Sequence, residues 1–151
     1  VAAAGLAYEL LVLPHQLPAA VEAVRAVPDG RFVLDHCAKP PVAAGTLEPW
    51  SRDLRALAAE PAVTCKLSGL VTEAAWATWA PADVAPFADV VLDAFGADRV
   101  MAGSDWPVCL LAASYGGVWD FARDLLAGCS PTEQDAVLRA TATRVYGLGG
   151  A

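Results

Sequence analysis

Apolar residues are grouped along this chain in two alternating kinds of segment, which predict strands and helices in turn. Four near-continuous apolar runs, at residues 6–13, 32–36, 63–68 and 99–105, predict strands. Between and after them, apolar residues recur at the three- and four-residue spacing of a helix. These stripes comprise Leu17, Val21 and Val24; Trp50, Leu54 and Leu57; Val84, Phe87, Val91 and Phe95; and Val118, Phe121 and Leu125. Buried strands that alternate with helices are typical of an α/β fold with a parallel sheet.

A fifth helix carries its own start signal. Ser130 is followed by Pro131 and Glu133, which predicts a serine N-cap, a proline at the first helical position and a capping box. This pattern predicts a helix that ends near Gly147. In the same way, Gly96 predicts the end of the third helix.

Length and loop chemistry bear on the architecture of the predicted sheet. With 151 residues the chain has the size of one domain and can bury a core. A small doubly wound sheet, as in a flavodoxin-like binding domain, would be complete at this length, whereas a (β/α)8 barrel needs about 250 residues. The doubly wound interpretation predicts a glycine-rich phosphate loop, and the chain has no G-x-G-x-x-G or P-loop motif. We therefore predict that residues 1–151 form a single partial domain, half of a (β/α)8 barrel, with the flavodoxin-like domain as an alternative.

Composition narrows the range of partners. The chain is 56% hydrophobic and 18% charged with a net charge of −7, so it lacks the basic stripe that nucleic-acid binding requires. No run reaches the ~18 apolar residues of a membrane span, and no basic flank before Arg25 marks a signal peptide. The four cysteines lack C-x-x-C spacing, which predicts buried free thiols and a reducing, cytoplasmic location. The predicted partner is a small-molecule substrate, with neither nucleic acid nor membrane.

The end of the fourth predicted strand is the most specific chemical signal. Its apolar run leads into Gly103-Ser104-Asp105-Trp106-Pro107, and the proline stops the strand because it cannot donate to the sheet. Asp105 is therefore held at the carboxyl end of a parallel strand, where α/β enzymes place their active sites. We predict that Asp105 is catalytic and that its neighbour Trp106 lines a pocket.

Each of the other predicted strands offers one ionisable side chain that can face the same centre. These residues are Glu9, His36 and Lys66. Strand alternation puts His36 on the face of Phe32 and Leu34, and it puts Asp35 on the opposite face, where it would anchor a helix or loop. A lysine inside a strand is costly unless it is paired or reaches water. Lys66 is therefore predicted either to contact substrate or to pair with a carboxylate.

Three segments of the chain together resemble a known family. They read FVLDH with KP at residues 32–40, KLSG at 66–69 and FGADRVMAGSDWPV at 95–108. In this order, and over nearly the whole chain, they resemble the amidohydrolase-2 family, in the branch of TIM-barrel hydrolases that includes fuconolactonase-like and 2-pyrone-4,6-dicarboxylate-lactonase-like enzymes. The resemblance implies a distorted (β/α)8 barrel that hydrolyses a lactone or a related ester or amide.

The resemblance also implies roles for the candidate residues. The final-strand aspartate of the family falls on Asp105, which would take a proton from water as the general base. The strand-end histidine falls on His36, which would polarise the substrate carbonyl or, with Asp105, bind a divalent metal. Lys66 would hold a substrate carboxylate. Lactonases of this branch can work without a metal and other relatives use zinc, so the resemblance leaves open whether zinc or no cofactor is bound.

One feature of the family is absent from the sequence. The first strand of the family carries an H-x-H pair, and this chain has none. Counted back from the Asp105 strand as the eighth, the chain supplies strands five to eight, the C-terminal half of the barrel. It also begins without an initiator methionine, so we expect a fragment of a lactonase that is inactive alone. The alternative is a non-catalytic half-barrel that associates with itself or with a separate N-terminal half.

Overall fold

The chain forms a four-stranded parallel sheet in a computed structural model that describes residues 1–149. Strand β1 spans Ala7–Leu10, β2 Arg31–Leu34, β3 Val63–Leu67 and β4 Val100–Ala102. The strands lie in the order β1-β2-β3-β4, and each is parallel to its neighbours. The four predicted strands are confirmed, although each is shorter than the apolar run that predicted it.

The order of the strands distinguishes the two predicted architectures. In a doubly wound sheet the strand order reverses at a switch point, so some strands that are consecutive in sequence are not adjacent in space. In this sheet every strand pairs with the next one in sequence, as in a (β/α)8 barrel. The flavodoxin-like alternative is therefore wrong.

The helices lie where the apolar stripes predict them. Helix α1 spans Leu17–Arg25, α2 Trp50–Ala58, α3 Pro81–Phe95 and α4 Tyr115–Leu125. The last predicted helix is divided into α5 (Pro131–Asp135), a π-helical turn (Ala136–Ala140) and α6 (Thr141–Tyr146).

The capping box at the start of α5 is confirmed. The Ser130 hydroxyl accepts a hydrogen bond from the Glu133 backbone N–H, and the Glu133 carboxylate accepts one from the Ser130 N–H at 2.8 Å. Two N–H groups that the helix itself leaves unpaired are satisfied in this way. The start of α5 is therefore determined locally.

The core lies between the sheet and the helices. Strand residues and the apolar stripes of the helices form one buried cluster, to which the sheet contributes Leu10, Phe32, Leu34, Val63, Cys65, Leu67 and Val100. Trp50, at the start of α2, is fully buried, and its ring centroid lies 5.5 Å from that of Phe87 on α3. This contact packs α2 against α3.

The opposite face of the sheet carries the ionisable residues. Val33 and Met101 are buried but lie outside the helix-facing cluster. Glu9 is aligned with Val33 across the β1–β2 pair, and Lys66 is aligned with Met101 across the β3–β4 pair. Because residues aligned across neighbouring strands share a face, both charges point away from the helices.

The cysteines and the helix lengths bear on two of the predictions from composition. Cys37, Cys65 and Cys109 are buried, Cys129 is half-buried, and all four are free thiols, as predicted. Within residues 1–149, no helix combines the length and the hydropathy that crossing a bilayer requires.

Candidate active site

A left-handed turn after β2 carries the histidine of the candidate site. Its φ angles are 48°, 53°, 58° and 53° at His36, Cys37, Ala38 and Lys39. A residue other than glycine costs about 1–2 kcal/mol in this conformation, so contacts with the rest of the fold must hold the turn. The buried Trp50 indole donates a hydrogen bond to the Cys37 carbonyl at 2.8 Å. The Cys37 thiol donates to the Lys66 carbonyl at 3.2 Å, which ties the turn to β3.

This turn, and not strand alternation, sets the direction of His36 at the end of β2. Strand alternation would place His36 with Phe32 and Leu34, but both of those residues face the helices in the buried cluster. The left-handed turn instead directs His36 toward the end of β4, where Asp105 lies. Asp35 lies before the turn, and alternation puts it on the face of Val33, away from the helices, where it reaches Lys66. The prediction that Asp35 anchors a helix or loop on the opposite face was therefore wrong.

His36 and Asp105 meet at the carboxyl ends of β2 and β4. His36 Nε2 lies 3.7 Å from Asp105 Oδ1, and both side chains are mostly buried, with 21% and 13% of their surface exposed. Asp105 itself has a φ of 57°, so the backbone is strained at this residue as well. The structure thus brings the predicted base and the predicted histidine together, and their chemical roles stay predictions.

Ser68 completes a row of three polar side chains. Its Oγ lies 2.9 Å from His36 Nδ1, on the side of the ring away from Asp105. The serine follows directly after β3, and it is buried. Ser68 is not among the residues predicted for the site, although the alternation that selects Lys66 also puts Ser68 on the same strand face.

Gly69 lies directly against the histidine ring. It has a φ of 70°, and a Cβ added to it would lie 2.9 Å from His36 Cβ and 2.9 Å from His36 Nδ1. Both observations require the absence of a side chain. The Ser68-Gly69 pair therefore determines where the ring of His36 can lie.

We expect Gly69→Ala to lower the free energy of unfolding by more than Gly45→Ala does. Gly45 has a similar φ of 64°, but a Cβ there would have nothing within 4 Å. The control therefore measures the left-handed backbone cost alone, about 1–2 kcal/mol. Urea unfolding of the two variants measures the difference, and equal losses would show that Gly69 does not confine His36.

A second cluster of charges lies nearer the middle of the sheet. Lys66 Nζ lies 2.8 Å from Glu9 Oε2 and 2.8 Å from Asp35 Oδ1. The contact with Asp35 lacks hydrogen-bond geometry, so Asp35 Oδ1 is buried without a hydrogen-bond partner in the described residues. The Tyr146 hydroxyl, from the end of α6, donates to Glu9 Oε1 at 2.6 Å. Of the two roles predicted for Lys66, these contacts match the pair with carboxylates, and the role in holding substrate stays a prediction.

The cluster shifts the protonation equilibria of its members. Burial lowers the pKa of the Lys66 ammonium, but Asp35 and Glu9 raise it more, so this pKa lies above its ordinary value. Burial raises the pKa of the Glu9 carboxyl, but hydrogen bonds from Lys66 and Tyr146 lower it below its ordinary value. Burial and the Glu9 carboxylate raise the pKa of Tyr146. The fold thus favours an ionised Glu9, a charged Lys66 and a neutral Tyr146.

We expect Glu9→Gln to destabilise the protein at neutral pH and to have little effect in acid. A carboxyl group whose pKa is lower in the folded chain stabilises the fold above its unfolded pKa, near 4.5, and this stabilisation is lost as the pH falls through the folded pKa. Melting temperatures measured between about pH 3 and 7 check this sign. Glu22→Gln, at an exposed position on α1, is the control, and a pH-independent difference between wild type and Glu9→Gln would contradict the prediction.

The predicted pocket residue Trp106 lies at the edge of the site, and the second histidine of the chain lies away from it. Trp106 follows Asp105 directly, and 63% of its surface is exposed. His15 is exposed in the turn before α1. Trp106 is therefore adjacent to the candidate base and open to solvent.

The described residues do not by themselves fit a zinc site. Zinc takes three or four protein ligands from cysteine, histidine and carboxylate side chains. No group of three such residues in residues 1–149 is arranged to hold a metal ion. His36 and Asp105 are two candidate ligands that do approach each other.

Comparison with known proteins places this geometry in a family. The profile of the Amidohydro_2 family, described as Amidohydrolase, matches residues 1–148. The chain belongs to the amidohydrolase family. The L-fucono-1,5-lactonase of Burkholderia multivorans is 45% identical to this amidohydrolase chain over 152 residues, which cover 93% of this chain and 51% of the lactonase.

Solved structures show the same similarity. An amidohydrolase from Burkholderia multivorans with bound zinc superposes with a TM-score of 0.91 at 42% identity, covering 97% of this chain and 54% of that one. A candidate 2-pyrone-4,6-dicarboxylic acid hydrolase from Pseudomonas putida gives a TM-score of 0.79 at 27% identity, covering 99% and 55%. The amidohydrolase chain spans about half the length of the curated relatives it matches. Its fold is that of the C-terminal half of a (β/α)8 barrel, as the resemblance implies.

Proposed function

We propose that this chain carries the catalytic half of a lactone-hydrolase site, with Asp105 as the general base. The observation that carries the proposal is the meeting of the Asp105 carboxylate and the His36 imidazole, 3.7 Å apart, at the carboxyl ends of their strands. Membership of the amidohydrolase family supports hydrolysis as the reaction. The 45% identity with an L-fucono-1,5-lactonase supports a lactone as the substrate class.

The proposed reaction divides the chemistry between these two side chains. Asp105 accepts a proton from water as the water oxygen attacks the lactone carbonyl carbon, and a positioned base contributes about 10²–10⁴-fold to such a step. The His36 ring, as an N–H donor, stabilises the negative charge that develops on the carbonyl oxygen. The ring C–O bond then breaks, the proton on Asp105 passes to the leaving oxygen, and a hydroxy acid is released.

Substrate contacts are proposed for two further side chains. The exposed Trp106 ring is free to pack against the apolar face of a lactone. Lys66 is less available, because Glu9 and Asp35 already neutralise its ammonium. A substrate carboxylate would have to displace one of these two partners to be held by Lys66.

A chimeric barrel tests the proposal. This chain replaces the matching segment of the Burkholderia multivorans L-fucono-1,5-lactonase, and hydrolysis of that lactone is followed by the release of acid. We expect the chimera to hydrolyse the lactone and the isolated chain to be inactive. A chimera that unfolds cooperatively on heating, as a folded barrel does, yet shows no turnover would overturn the proposal.

A second candidate function is that of a non-catalytic half-barrel that associates with itself or with a separate N-terminal half. The observation that favours it is the apolar flank beside β1, where Leu6, Tyr8 and Leu11 are exposed. A cleft of about 450 Å³ lies on the same flank, lined by Leu6, Tyr8 and Phe32. Size-exclusion chromatography with light scattering tests self-association, and a clean monomer would exclude it.

We also propose that the protein works in a reducing compartment, the cytoplasm. Four free cysteines, three of them buried, support this location. Disulfides form and persist mainly in oxidising compartments, so a chain that keeps its thiols is typical of a reducing one.

A further inference from the structure

Ser68 is placed to control the histidine of the proposed site. Its Oγ lies 2.9 Å from His36 Nδ1, and 6% of the residue is exposed. A Cβ at Gly103, after β4, would lie 3.3 Å from Ser68 Cβ, so the serine is confined between the ends of β3 and β4. Among the described residues, the imidazole nitrogen is the one hydrogen-bond partner of this hydroxyl.

The neighbours of the ring differ in what they can do with a proton. An ionised carboxylate only accepts hydrogen bonds, whereas a hydroxyl can donate or accept. The nitrogen that faces Asp105, Nε2, is favoured as the protonated one, because a carboxylate 3.7 Å away attracts an N–H and repels a lone pair even without a hydrogen bond. In a neutral ring Nδ1 is then an acceptor, and the Ser68 hydroxyl is the group that donates to it.

We propose that Ser68 is a positioning residue, which donates its hydroxyl proton to His36 Nδ1 and thereby holds the ring as the neutral Nε2–H tautomer. The hydrogen bond fixes the plane of the ring above Gly69. It also leaves Nε2–H directed toward the space in front of Asp105. No proton is transferred in this arrangement.

The consequence for catalysis rests on the proposed function. There, His36 acts as an N–H donor to the carbonyl oxygen, and this role requires the proton on Nε2. A hydrogen bond at the far nitrogen is the usual way in which proteins select a histidine tautomer. Ser68 thus determines which nitrogen of His36 carries the donor proton, without itself touching the substrate.

The chain offers a direct test, because it contains two histidines. Long-range ¹H–¹⁵N spectra of the imidazole rings, recorded at about pH 9 where an ordinary imidazole is neutral, show which nitrogen carries the proton. The exposed His15 is the internal reference for a ring in solvent. The spectra are compared for wild type, Ser68→Ala, Ser68→Thr and the control Ser51→Ala, which removes another buried serine hydroxyl.

We expect His36 to show the Nε2–H tautomer alone in wild type, in Ser68→Thr and in Ser51→Ala. In Ser68→Ala we expect a mixture of tautomers like that of His15. A single Nε2–H tautomer that survives in Ser68→Ala would overturn the inference, as would an Nδ1–H tautomer in wild type. A Ser68→Thr chain that melts at the wild-type temperature, so that the added methyl is accommodated, yet behaves like Ser68→Ala would also overturn it, because a hydroxyl would then not be what holds the ring.

This experiment does not depend on turnover. If the tautomer responds as expected and the chimeric barrel is inactive, the proposed function fails while the inference on Ser68 stands. If the chimera is active and the His36 tautomer is the same in Ser68→Ala as in wild type, the proposed function stands and the inference on Ser68 fails.

Discussion

Replacing Asp105 by asparagine in the chimeric barrel is expected to lower kcat/KM for the lactone about a thousandfold, within the range that a positioned general base contributes. An amide is nearly the same size and shape as the carboxylate but cannot accept a proton from water. Asp105 is mostly buried beside His36, so the substitution changes the chemistry of the site with little change in packing. Steady-state hydrolysis rates measure the effect.

The matched control for this prediction is Asp98→Asn. Asp98 lies in the same segment, just before β4, and it is exposed. Its replacement should leave kcat/KM unchanged, and both variants should unfold at the wild-type temperature to within a few degrees. Turnover of Asp105→Asn within a few-fold of wild type would remove Asp105 from the role of base.

Replacing Trp50 by alanine is expected to lower the free energy of unfolding by about 3–5 kcal/mol, the usual cost of removing a large buried aromatic side chain. Trp50 is fully buried against Phe87. Its indole N–H also satisfies the Cys37 carbonyl in the left-handed turn. The same substitution therefore opens a cavity in the core and removes a contact that holds His36 in place. Urea unfolding followed by circular dichroism measures the loss.

Two further variants separate these effects. Trp50→Phe keeps most of the buried ring but leaves the Cys37 carbonyl unpaired, which should cost about 1–3 kcal/mol. Trp76→Ala is the control, because the Trp76 indole also donates to a backbone carbonyl, that of Thr72, but half of the residue is exposed. A loss at Trp76 as large as that at Trp50 would show that burial against the core is not the cause.

The helices and strands were predictable because their signals are local and periodic. Burial of one helix face leaves the 3.6-residue spacing of Val84, Phe87 and Val91 in the sequence, and buried parallel strands leave short apolar runs. The capping box at Ser130 depends on residues three positions apart. The ends of the strands were less predictable, because an apolar residue that continues past the last sheet hydrogen bond is still buried.

The meeting of Asp105 and His36 was also predictable, though for a reason of topology. The carboxyl ends of parallel strands lie along one edge of a sheet, so polar residues that follow such strands come close together. The route by which His36 reaches that edge was not predictable. Four residues other than glycine take left-handed angles after β2, and of these only histidine is enriched in that conformation. Their identities therefore do not predict a run of four.

Contacts between residues far apart along the chain could not be predicted from the sequence either. Tyr146 binds Glu9 across 137 positions. Asp35 reaches Lys66 because alternation puts it on the face of Val33, and packing makes that face, not the face of Phe32 and Leu34, the one that carries the charges. Each of these contacts depends on where whole elements pack. Alternation along a single strand carries no information about that packing.

The sequence by itself determined the α/β class, the order of strands and helices, and the carboxylate at the end of β4, because these follow from the spacing of apolar residues and from proline chemistry. The tertiary structure alone decided how His36 reaches the site and which side chains hold it there. The physical reason is the left-handed turn. Hydrogen bonds from the Trp50 indole and the Cys37 thiol stabilise this strained turn against the packed core. Those contacts form only once the helices and the sheet have come together.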